Sequence, residues 1–125
     1  MQMLYQWELA GNTPEQIAGT FFRERKPDGE VEAFARELFQ GAVDDAAKLD
    51  ELLRDHAQNW RLERMAAVDR SILRLAIYEL LHHPEVPPRA VINEALEIAR
   101  RFSGVDSVEF VNGILDSVLK QIEQR

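Results

Sequence analysis

Residues 92–103 read INEALEIARRFS, and residues 108–116 read VEFVNGILD. Each segment sets an asparagine, Asn93 or Asn112, inside an apolar pattern of helical period, and the second adds Gly113 directly after it. A glycine inside a helix costs about 1 kcal/mol relative to alanine, and asparagine is also a poor helix former. Residues that weaken a helix at fixed points answer to a close backbone approach or to a specific polar contact. The final helix has its apolar stripe at Val108, Val111, Ile114, Leu115, Val118 and Ile122. Phe110 falls away from that stripe and shares the opposite face with Asp106, Glu109, Gly113 and Ser117. An aromatic ring among small and polar residues, off the core face, is placed to meet a partner.

Helical periodicity continues outward from these segments, and nothing alternates with a period of two for long. Pro88 suits the first turn of the preceding helix, whose buried side is Val91, Ala95, Ile98 and Phe102 with Ile92, Leu96 and Ala99; Ser103-Gly104 ends it. HHPEVPP, residues 82–88, is a rigid connector, because each proline restricts itself and its predecessor. Ala67 to Leu81 is apolar on nearly every side and is expected to be the central helix. Before it, Asn59-Trp60 opens a short turn containing Leu62 and Met65. Val31, Phe34, Ala35, Leu38 and Phe39 begin a stripe that runs on through Ala42, Ala46, Leu49 and Leu53, which predicts one long helix bent near Gly41. Thr13, Pro14 and Gln16 spell a helix start with a capping box, and Ile17, Phe21 and Phe22 give that helix its buried side. The opening MQMLYQWELAG reads as the end of a helix stopped at Gly11, with Leu4 and Trp7 on one side. The sum is an all-α fold of about seven helices in two helical subdomains, about 1–58 and 59–125, meeting near Trp60.

Composition bounds the function. A chain of 125 residues is one domain, long enough to bury most of its apolar surface. The absence of cysteine removes disulfides, thiol catalysis and thiolate metal sites, and suits a reducing cytoplasm. No apolar run approaches the roughly 18 residues of a membrane span, so a soluble cytoplasmic protein without membrane contact is expected. A net charge of −7 argues against loose, charge-driven binding to nucleic acid. Acids dominate from Asp28 to Asp55, but from Arg61 to Arg101 seven arginines roughly balance six acids, so a local basic patch stays open.

The string W-x-L-x-R-M-x-x-V-D-R-x-I-L-R-L-A-x-Y-E-L at residues 60–80, V-P-P-x-x-V-I-N-E-A-x-E-I-A at 86–99 and F-V-N-G-I-L-D at 110–116 resembles the NusB family of transcription antitermination factors. LYQWE at residues 4–8 is similar to the family's first helix, and the resemblance covers essentially the whole chain. It implies an all-α fold of two helical subdomains and a non-catalytic role in bacterial antitermination and ribosomal RNA synthesis. It also implies pairing with NusE, a small-subunit ribosomal protein, within the RNA polymerase antitermination complex. That heterodimer is expected to bind the single-stranded boxA element of nascent RNA. Family members usually carry an arginine-rich segment ahead of the tryptophan-containing part of helix one, and it contributes strongly to RNA binding. Residues 1–125 start about where that segment ends; either the segment lies outside them or it is absent, in which case RNA affinity is expected to be weak. Some members self-associate, which leaves a homodimer open. Neither cofactor nor metal is implied.

Phe110 is the first candidate for RNA contact, since an unpaired base stacked on an aromatic ring gains about 1–3 kcal/mol. Gly113 and Ser117 leave room beside it, and Glu109 borders the same face. The alternative is that the ring packs within its own subdomain. By resemblance, Tyr5 and Asp106 are also RNA-proximal, although Asp106 equally suits the cap of the last helix. The resemblance puts the NusE-facing surface at Asp69, Arg70, Leu62 and Met65; a capping acid and a solvated arginine are the ordinary alternative. Asn93 and Asn112 are read as structural ties between helices. Glu79 falls among Val68, Ile72 and Leu75, where a carboxylate must be hydrogen-bonded, paired or neutral. His56, His82 and His83 have no metal-ligand spacing and are read as solvent-exposed. No glycine-rich phosphate loop or nucleophile motif occurs, so the chain is read as no enzyme. Two other functions compete: the RNA-recognition module of a ribosomal RNA cytosine methyltransferase, and a helical protein-interaction domain with no RNA role.

Overall fold

Punctuating residues set the helix boundaries in the structure, a computed structural model that describes residues 1–57 and 65–124. Helix α1 (Gln2–Ala10) stops at Gly11, whose φ of 72° is the left-handed conformation glycine adopts without penalty. Helix α2 (Pro14–Arg25) starts on a complete capping box: the Thr13 hydroxyl accepts from the Gln16 amide and the Gln16 side chain accepts from the Thr13 amide. Helix α3 (Gly29–Asp44) is capped by the Asp28 carboxylate. The expected long helix breaks at Asp45 and not at Gly41, and α4 (Ala46–His56) continues from there. Asp45 closes α3, opens α4 and has its carboxylate held by His82, so the break is fastened from a distant helix.

Helix α5 (Ala67–His82) is the centre, with Leu73 and Ile77 fully buried and α1, α3, α4, α6 and α7 all packed against it. Helix α6 (Pro88–Phe102) begins on its proline, and α7 (Val105–Glu123) follows the Ser103-Gly104 corner. Seven α-helices thus occur among the described residues, and one continuous core runs from Leu4 and Ile17 to Leu115 and Val118. The short turn expected around Trp60 and Leu62 lies outside the described residues. Three stripe residues deviate: Val31, Phe34 and Phe102 are 58%, 42% and 50% exposed. Periodicity predicts which side of a helix is apolar, but not how far its ends extend past the neighbours that cover it.

Buried polar contacts fasten these helices together. Arg74 grips Asp50 on α4 with two bonds of 2.7 and 2.8 Å and also reaches Glu8 on α1. Burial opposes its charge, but the bonds to Asp50 and Glu8 outweigh that and raise its pKa. Removing one partner of so buried a pair would strand the other.

Candidate nucleic-acid interface

The outer face of α7 borders a cleft of about 280 Å³ lined by His56, Ala57, Glu109, Phe110, Gly113, Ile114 and Ser117. Three of the expected RNA residues, Phe110, Glu109 and Gly113, therefore meet in one place. Tyr5 and Asp106 are not among the lining residues: Tyr5 is 37% exposed on α1, and Asp106 is exposed in the first turn of α7. Asp106 does not cap that helix, because the cap position is Gly104, two residues earlier, and the helix has no side-chain cap. Its carboxylate still suits the positive end of the helix dipole.

Phe110 is half-buried and packs against the core, so it is less detached than the wheel suggests. Helix α4 covers part of the face that sequence periodicity leaves open. His56 at its end contacts Ser117 through Nδ1 at 2.7 Å and Gln121 through Nε2. His56 is thus a tie between α4 and α7, not a solvated side chain.

Gly113 lies in the middle of a 19-residue helix with no positive φ. Among the described residues, no atom outside its own helix backbone lies within 4 Å of where its Cβ would sit. The fold around it therefore supplies no reason for the missing side chain, and the helix bears about 1 kcal/mol for it. Gly41 is the opposite case, since a Cβ there would overlap the ring of Tyr78.

The expected partner surface is rearranged. Asp69, expected on the partner-facing surface or as a cap, is only 6% exposed. Its carboxylate accepts from the hydroxyls of Ser103 at 2.7 Å and Ser107 at 3.0 Å, which pins the α6–α7 corner to the start of α5. Arg70 donates through Nε to Glu8 and through Nη1 to the Met65 carbonyl, and its side chain is 14% exposed. Met65 is buried, and Leu62 lies outside the described residues. The corner also exposes two apolar side chains, Phe102 and Val105, the latter at 80%.

Asn93 and Asn112 are both exposed, and neither makes a side-chain hydrogen bond among the described residues, so they do not tie helices together. Polar residues bordering a stripe reach solvent as readily as a neighbour. The Glu79 carboxylate has neither a hydrogen-bonding partner nor an ion pair among the described residues. It lines a mostly apolar pocket of about 200 Å³ with Glu94, and burial first, then Glu94, raises its pKa. His83 is also not solvated: it is held between Glu85 and Glu37 at 2.8 Å each.

Comparison with known proteins agrees with this architecture. The NusB family matches residues 1–120. The transcription antitermination protein NusB of Koribacter versatilis is 47% identical over 124 residues, covering 98% of this chain and 85% of that protein. Its counterpart from Sorangium cellulosum is 43% identical, with 98% and 87% covered. A T. maritima NusB structure superposes with a TM-score of 0.86 at 35% identity, covering 96% of this chain and 84% of that one. At 24% identity, where only the fold is comparable, a crystal structure of the antitermination factors NusB and NusE with double-stranded RNA gives a TM-score of 0.88. No helix among the described residues is long and apolar enough to cross a membrane. The chain belongs to the NusB family of transcription antitermination factors, which are non-catalytic proteins.

Proposed function

We propose that this protein pairs with the ribosomal protein NusE and binds single-stranded, boxA-type RNA of nascent ribosomal RNA transcripts in the cytoplasm, through the α7 cleft. One observation carries the reading: Gly113 is bare on the same face as Phe110, and no packing in the described residues accounts for it. A helix that retains such a cost is open to a base or sugar approaching its backbone. Phe110 and Glu109 flank that opening. Tyr5 and Asp106 belong to the periphery of this surface rather than to the cleft.

The described residues that line the cleft include no lysine or arginine, and the chain carries a net charge of −7. Phosphate charge must therefore be met largely by the partner, which is why RNA binding by the pair is expected to exceed binding by this chain alone. The exposed Phe102 and Val105 flank the start of α5 and suit a protein partner there. Asp69 supports that surface from inside by holding the corner.

The test is binding of boxA and scrambled RNA at two salt concentrations, with and without NusE. Phe110→Ala should lower boxA affinity by about 1–3 kcal/mol. Because the ring is half-buried, a folding control by circular dichroism accompanies it. Equal, equally salt-sensitive binding of both RNAs would sink the RNA reading and leave a protein-interaction domain; no gain from NusE would sink the pairing.

A further inference from the structure

We propose that the α7 cleft seats one nucleoside lengthwise, with a guanine edge on Glu109 and the ribose on Ser117. The inference rests on the RNA reading above and adds which nucleotide is recognised and where its two ends lie. Glu109, Gly113 and Ser117 occupy successive turns of one face and all line the cleft. Eight residues of helix span about 12 Å, close to the length of a nucleoside laid along the axis. Gly113 bares the backbone midway, and Phe110 gives the base apolar surface at the Glu109 end. At about 280 Å³ the cleft is smaller than the roughly 300–1,000 Å³ of drug-sized ligand pockets, which suits a single nucleoside and excludes a duplex.

The polar atoms at the two ends can both accept. The Ser117 hydroxyl meets His56 Nδ1, and whichever of the two donates, the Ser117 oxygen keeps a lone pair to offer. At the other end the Glu109 carboxylate accepts. A cleft with acceptors at both ends selects a ligand with donors at both. The Watson–Crick edge of guanine presents two adjacent donors, the ring N–H and the exocyclic amine, which match the two oxygens of a carboxylate. Uracil offers one N–H between two carbonyls that a carboxylate repels. At the far end a ribose 2′-hydroxyl donates to Ser117, and deoxyribose has no such group.

The experiment is fluorescence anisotropy of the full chain with NusE. Its probes are a short oligouridylate and the same strand with one guanosine, one inosine or one 2′-deoxyguanosine. The guanosine strand should bind about tenfold more tightly than oligouridylate. Inosine, which lacks the amine, should lose most of that gain, and deoxyguanosine should lose part of it. Glu109→Ala should abolish the guanosine preference, whereas Ser117→Ala should abolish only the ribose preference. Equal affinity for the guanosine and uridine strands overturns the proposal, as does a guanosine preference that survives Glu109→Ala. Binding without base preference overturns this assignment alone; no binding of any strand overturns the RNA reading with it.

Discussion

Gly41 and Gly113 both interrupt helices of at least 16 residues, yet they do so for different reasons. Around Gly41 the protein is the reason: Tyr78 on α5 comes so close to α3 that only a hydrogen fits. Around Gly113 the described residues leave open space on a half-lined cleft. The first glycine lets two helices approach and belongs to folding. The second makes the helix weaker with no return among the described residues, a return that the proposed RNA contact would supply. Similar residues in similar patterns thus separate once the neighbours are known.

The comparison breaks most readily at Gly41. Gly41→Ala gains about 1 kcal/mol of helix propensity but forces a methyl group into the Tyr78 ring. A net loss of about 2 kcal/mol or more is expected in denaturant unfolding, and near-wild-type stability would show that the ring moves aside freely. At Gly113 the sign reverses. Gly113→Ala should stabilise the protein by up to about 1 kcal/mol while weakening RNA binding severalfold, since the methyl group fills the middle of the cleft. A destabilised Gly113→Ala protein would mean that the fold, and not a ligand, requires the glycine.

The smallest effect concerns pH and the Gly41 side alone. His83 lies 6.3 Å from the Tyr78 ring, and its hydrogen bond to Glu85, with Glu37 adding and burial opposing, raises its pKa above the ordinary 6.5. A histidine whose pKa is raised by folding stabilises fully below the unfolded value, and that contribution is lost as pH rises through the folded value. Stability should therefore fall slightly as pH rises above 6.5 and through the raised folded value. The fall should be a fraction of 1 kcal/mol, because Glu37 and Glu85 are solvent-screened. His83→Gln should flatten this part of the profile; an unchanged slope would assign it to another group. RNA binding by the α7 cleft should not follow it.

Much of the fold was legible in the sequence. Gly11, the Thr13–Gln16 box, Pro88 and the Ser103-Gly104 corner act over a few residues, so local chemistry is enough to place them. The break at Asp45 was not legible, because its carboxylate is held by His82, 37 residues away. Of the candidate site, Phe110, Glu109 and Gly113 were found from one helical face, while His56 was missed because its partners are 61 and 65 residues distant. Asp69 was misplaced for the same reason, since it is the serines of the distant α6–α7 corner that let a carboxylate be buried at the start of α5.

By itself, then, the sequence determined the all-α architecture, the helix stops and the family, because capping, glycine and proline chemistry and apolar periodicity are local. Tertiary structure alone decided which polar residues are interior, which asparagines are idle and which glycine the protein needs. A side chain's burial and hydrogen bonds depend on what other helices bring to it, and a helical wheel carries no information about them.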